Sequence, residues 1–121
     1  MTELFASDRM FKLWAYTVSH RRLLLRSTSE GGVAESRIDV CFGGVARMSV
    51  EPFYDGLTVT EVPQDEWAAY SGRIGEVPSG FRLYALGAGQ QGGLVIAGVV
   101  QWHEDTRGFD DPSYFGHFPG A

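Results

Sequence analysis

Ile38, Val40 and Phe42 alternate with Arg37, Asp39 and Cys41. A period of two over six residues is the pattern of a β-strand with one buried face, and a helix would scatter those apolar groups around its circumference. Leu57-Thr58-Val59-Thr60-Glu61-Val62 repeats the pattern, with Leu57 and Val59 expected inward and the threonines outward. These two runs set the reading of everything between and around them.

Phe11 to Val18 is rich in aromatic and branched residues and reads as a strand. Ser19-His20 breaks it briefly before Arg21 to Ser27, centred on Leu23-Leu24-Leu25. So short a break implies an antiparallel hairpin, because a parallel crossover needs about a dozen residues or more. Ser27 to Ser36, with Glu30-Gly31-Gly32, reads as a turn or loop. After Phe42, Gly43-Gly44 is either a bulge or a tight turn, and Val45 to Val50 resumes an extended course. Pro52 to Gly56, ending in Asp55-Gly56, is expected to turn.

Pro63 to Tyr70 is the one helical piece: proline and acidic residues start it, Trp67 and Tyr70 share a face, and Ser71-Gly72 is expected to stop it. Phe81 to Leu86 and Leu94 to His103 form the arms of a hairpin around the glycine-rich tip 87–93. The second arm is nearly all apolar, which suggests a central strand covered on both faces.

The sequence therefore predicts a mainly β fold: an antiparallel meander, sandwich or open barrel of six or seven strands with one short helix. At 121 residues the chain has the length of a single domain, 1–121. The N-terminal segment 1–10 and the C-terminal tail 104–121 are expected to be irregular. The 16 glycines follow no repeat and fit a chain with many turns, and the 3 tryptophans, 5 tyrosines and 8 phenylalanines fit pleated surfaces. The expected core contains Ile38, Val40, Phe42, Leu57, Val59, Leu83, Ile96 and Val100.

A net charge of −5 disfavours contact with nucleic acid or an anionic membrane surface. One cysteine, Cys41, forbids an internal disulfide and fits a reducing compartment. Met1 to Met10 carries Glu3, Asp8 and Arg9 and lacks the apolar core of a secretory signal. The longest apolar stretch, Leu94 to Val100, is far shorter than the about 20 residues of a membrane helix. A cytoplasmic location is expected. Nine of the ten basic residues are arginine, a bias that points to a GC-rich bacterial genome.

Candidate ligands concentrate in His103-Glu104-Asp105, Asp110-Asp111 and His117. Imidazoles with carboxylates suit zinc or manganese, so His103, Asp105 and His117 form a candidate metal set. Their spacing matches no compact metal motif, and the plainer reading is a polar strand end with no metal and no cofactor. His20-Arg21-Arg22, at the first hairpin turn, suit an anion or acid–base work, although hairpin tips ordinarily carry solvated polar groups. Trp102 joins them as a candidate binding residue, since aromatics become informative when they face one concave surface. Cys41 lacks an interpretable histidine partner and reads as a small buried apolar residue. The glycine-rich tip lacks the Gly-Lys-Ser/Thr and the following helix of a phosphate loop.

Leu13-Trp14-Ala15-Tyr16, Val18-Ser19-His20, Leu23-Leu24-Leu25-Arg26-Ser27 and Trp102-His103-Glu104-Asp105 together resemble small bacterial all-β proteins to which no activity is attached. The resemblance implies no functional residue. Small size, acidic charge and the lack of a catalytic set favour a noncatalytic protein-interaction module, immunity-like or adaptor, over an enzyme. The alternative is a small-ligand or metal-dependent activity near His20 or His103–His117. Phe109, Tyr114, Phe115 and Phe118 must escape water, either by docking on their own domain or across a homodimer, and the latter is the expectation.

Overall fold

The computed structural model describes residues 1–27, 36–87, 92–106 and 111–116. Among the described residues, eight strands form one antiparallel sheet, one or two more than the expected six or seven: β1 (Thr2–Thr17), β2 (Arg22–Ser27), β3 (Arg37–Gly43), β4 (Arg47–Ser49), β5 (Phe53–Val62), β6 (Arg82–Leu86), β7 (Gly93–Ala97) and β8 (Val99–Asp105). Their order across the sheet is β4-β7-β6-β5-β1-β2-β3-β8. The sheet is not closed into a barrel, yet its ends stay close. β4 follows β3 and β8 follows β7 in the chain, and the Gly98 N–H donates to Gly43 O at 2.9 Å.

One face of the sheet surrounds a shared core that includes Phe11, Leu23, Leu25, Ile38, Val40, Phe42, Leu57, Val59, Tyr84 and Val95. Removing that apolar surface from water is the main drive to fold, at roughly 25 cal/mol per Å². The other face is covered in two separate places. At β6 and β7, Leu83, Leu94 and Ile96 lie with Val62 and Ile74 under Trp67 and Tyr70. At β2 and β3, Leu24 and Cys41 lie under Trp14, Ala15 and Phe115. Strict alternation within β6 and β7 thus feeds two clusters at once, and every residue of β7 is buried.

Of the expected core, Ile38, Val40, Phe42, Leu57 and Val59 enter the shared cluster. Leu83 and Ile96 are buried on the opposite face, and Val100 is only partly buried against the shared cluster.

The N-terminal segment 1–10, expected to be irregular, is instead the first half of β1. β1 pairs with β5 from Thr2 to Lys12 and with β2 from Phe11 to Thr17, so it joins the two halves of the sheet. Its register with β5 shifts between Glu3 and Phe5 and again between Ser7 and Met10. Such bulges break the period of two and hide the strand from pattern reading. Opposite the second shift stands Gly56 at φ 85°, a conformation that costs glycine little. Pro52 to Gly56 is accordingly not a turn: β5 begins at Phe53 and runs through it.

Three further corrections concern ends and breaks. The helical piece is a 3₁₀ segment, Gln64–Tyr70, that continues into α1 (Ser71–Ile74). Ser71-Gly72 therefore does not stop it; Gly75 does, at φ 83°. The arm Leu94 to His103 is two strands divided at Gly98. Only β7 is central and covered on both faces, while β8 lies at the end of the sheet and is largely exposed. Glu104 and Asp105, assigned to the irregular tail, extend β8, and Ser113 and Gly116 form an isolated bridge beyond it.

Candidate functional site

The outward side chains of β2, β3 and β8 make a polar ladder. Register places Arg26 beside Asp39, Asp39 beside His103, and Arg37 beside Asp105. Alternation alone assigns Arg37 and Asp39 to a solvated face. They are 1% and 2% exposed, and Arg26 is 1% exposed. What covers them is the strap Asp111–Gly116 running over this face.

Buried charge survives only when it is paired and hydrogen-bonded. Arg26 meets Asp39 as a two-pronged pair, Nε to Oδ1 at 2.7 Å and Nη2 to Oδ2 at 3.1 Å. Arg37 Nε donates to Asp105 Oδ1 at 2.9 Å. Both guanidinium groups also donate to the strap. Arg37 Nη1 and Nη2 donate to the carbonyls of Asp111 and Pro112 at 2.7 and 2.6 Å. Arg26 Nη1 reaches Asp111 O at 3.3 Å, and Arg22 Nη1 donates to Phe115 O. In return, the Ser113 hydroxyl donates to Asp39 Oδ2 at 2.8 Å and accepts the Phe115 N–H at 3.1 Å.

A bulge supplies the remaining wall. Between Leu13 and Ala15 the register of β1 with β2 shifts, so Trp14 and Ala15 both reach the outer cluster. The Trp14 ring stands 4.9 Å from the Arg26 guanidinium carbon, a cation–π contact. Phe115 packs with Trp14 over Leu24 and Cys41. Burial pushes the Cys41 thiol up to about 11, partly offset by the nearby Arg22 charge. Cys41 is thus a protonated packing group, not a nucleophile poised near neutrality.

The expected site residues scatter. His20 and Arg21 project from the β1–β2 turn; Arg21 takes φ 49°, and its carbonyl accepts the Val45 N–H at 2.8 Å. Arg22, by contrast, belongs to the strap's binding face. Trp102 lies on the other side of β8, 45% exposed, with its ring 5.6 Å from Phe5. His103 stacks on Tyr114 at 3.9 Å, and its Nε2 lies 3.7 Å from Asp105 Oδ2. Asp105 is already paired with Arg37. His117, Phe109, Asp110 and Phe118 lie outside the described residues. Among the described residues no group of three His, Cys, Asp or Glu side chains is placed to hold a metal ion. A groove of about 740 Å³, lined by Ser49, Glu51, Phe53, Asp55 and Arg73 among others, contains none of the expected site residues.

Of the tail aromatics, Phe115 docks within its own chain, and Tyr114 stays 65% exposed. The residues that sequence reasoning missed are Arg26, Arg37, Asp39 and Ser113. One signal was present. Leu23-Leu24-Leu25 is apolar at both parities, so both faces of β2 must be covered, and Arg26 shares the parity of Leu24.

No helix among the described residues is long and apolar enough to cross a membrane. Compared with known proteins, the chain matches no family model, no curated protein and no solved structure.

Proposed function

We propose that this chain is a noncatalytic protein-interaction module that associates through the free edge of β8, with a second copy of itself as the partner. The observation that carries the reading is the state of β8. It pairs with β3 on one side only among the described strands, and it leaves Val99 and Trp102 each 45% exposed. Long, unblunted edges template further strand pairing, and proteins usually shorten them or place lysine or proline on them. The opposite end strand, β4, is three residues long and carries Arg47. β8 is seven residues long, with no proline and no basic residue other than His103.

Self-pairing suits its sequence. A twofold antiparallel pairing centred on Trp102 sets Glu104 and Asp105 of one copy against Val100 and Val99 of the other. Like charges are then kept apart, and twofold dimers are the commonest oligomers. Sedimentation velocity at micromolar concentration tests this. The expected result is a dimer for the full chain and a monomer for Val99→Lys, with unchanged circular dichroism. A full chain that sediments as a monomer rejects the reading.

A further inference from the structure

The strap Asp111–Gly116 is held as a peptide ligand is held. Arg22, Arg26 and Arg37 donate to its carbonyls at Asp111, Pro112 and Phe115, groups that any peptide carries. Buried side-chain information enters at two positions. The Ser113 hydroxyl donates to Asp39, and the Phe115 ring enters the cluster with Leu24, Cys41 and Trp14. Tyr114, between them, lies over the His103 ring at 3.9 Å and remains 65% exposed. The chemistry read by this face is therefore a backbone segment with a hydroxyl residue and, two positions later, an aromatic ring.

We infer that the outer face of β2, β3 and β8 is a peptide-binding groove, occupied here by residues 111–116 of the same chain, and that it accepts a Ser-x-Phe segment of a partner protein by exchange. The groove and the free edge of β8 are different surfaces, so this inference does not rest on the proposed self-pairing. The receptor side is built to persist without the strap. When the strap leaves, Arg26 keeps Asp39 and Arg37 keeps Asp105. Those same ion pairs hold the guanidinium groups in place for the next segment, and such preorganisation lowers the cost of binding. The strap itself inserts only Ser113 as a buried residue, with Phe115 half-buried. A peptide with the same two anchors and the same carbonyls reproduces the contacts to Arg22, Arg26 and Arg37, the hydroxyl bond to Asp39 and the packing on Leu24 and Cys41.

Cys41 is a built-in reporter, because Phe115 packs over it and it is the only cysteine. In the full-length chain, Phe115→Ala is expected to raise the rate of Cys41 labelling by a disulfide reagent at least about tenfold, a change of about 1.4 kcal/mol in the opening equilibrium. A synthetic peptide Asp-Pro-Ser-Tyr-Phe-Gly should slow that labelling back toward the wild-type rate. A control peptide with alanine at both anchors should leave it unchanged. Fluorescence anisotropy of the labelled peptide with full-length Ser113→Ala gives the second readout, in case Phe115→Ala does not fold. There the expected result is saturable binding, lost when the peptide's phenylalanine is replaced. Equal protection by both peptides, or no protection and no saturable binding, overturns the groove. Sedimentation of the same samples reports the β8 pairing separately.

Discussion

Asp39 faces Arg26 across the β2–β3 ladder with both carboxylate oxygens engaged, and each side chain is 2% exposed. Asp39 Oδ2 also receives the Ser113 hydroxyl, so one carboxylate joins two strands and the strap. Neither partner is replaceable alone.

Asp39→Ala leaves the Arg26 guanidinium buried without its carboxylate, which costs about 3–5 kcal/mol. Against a total stability of roughly 5–15 kcal/mol, that loss shifts the urea midpoint strongly or unfolds the chain. The double variant Arg26→Met/Asp39→Leu should lose less than Asp39→Ala, because no charge is then stranded. A double variant as unstable as the single would place the cost in packing instead.

Val40 and Ile96 are both 0% exposed but belong to clusters on opposite faces of the sheet. Val40→Asp and Ile96→Asp should each abolish cooperative thermal unfolding followed by circular dichroism, since an unpaired buried charge costs several kcal/mol. Survival of Ile96→Asp alone would mean that the helical cover at Trp67 and Tyr70 is dispensable.

Two glycine replacements should act in opposite directions. A Cβ at Gly93 would lie 2.5 Å from Tyr54 Oη and 2.9 Å from the Ser49 carbonyl. That hydroxyl also accepts the Glu51 N–H, so Gly93→Ala forces backbone apart at a cost of about 1–3 kcal/mol. At Gly72, inside α1, an added Cβ would meet nothing within 4 Å. Gly72→Ala should stabilise by about 0.5–1 kcal/mol in the same urea titration.

The raised thiol pKa of Cys41 sets an alkaline limit. Burial favours the neutral thiol, so its contribution to stability is complete below the ordinary value of 9.0 and is lost as pH rises toward about 11. The tyrosines Tyr54 and Tyr84 are raised by burial as well, and they act in the same direction. Cys41→Ala should therefore lose less stability than the wild type between pH 9 and 11, as measured by thermal melts. Identical slopes would assign the alkaline loss to the tyrosines.

Alternation, unbroken and local, marks β3 and the second half of β5, and the apolar run Leu23-Leu24-Leu25 marks β2. Pattern reading lost the first half of β1, where two bulges and three charged residues disguise a strand whose partner, β5, is remote in sequence. It also divided β5 wrongly, since Asp55-Gly56 is a turn signal that the fold uses to sit opposite a bulge. At the candidate site, His103 and Arg22 were visible as polar groups beside the right strands. Alternation alone assigns Arg37 and Asp39 to solvent, because nothing in their own strand announces the strap. Burial there comes from Ser113 and its neighbours, more than seventy residues later.

Gly98, which separates β7 from β8, bears on how fast the chain assembles. The β1–β2 and β6–β7 pairs are hairpins that close over short distances. The β3–β8 ladder joins Arg37 to Asp105 over a separation of 68 residues, and β1–β5 joins Thr2 to Glu61. Contacts so distant in sequence slow folding, because loop entropy is lost before pairing repays it. Zipping of these two seams is then expected to limit the folding rate, with Gly98 as the joint at which β8 leaves the course of β7. Stiffening that joint with Gly98→Val should change the refolding rate in stopped-flow fluorescence more than the unfolding rate.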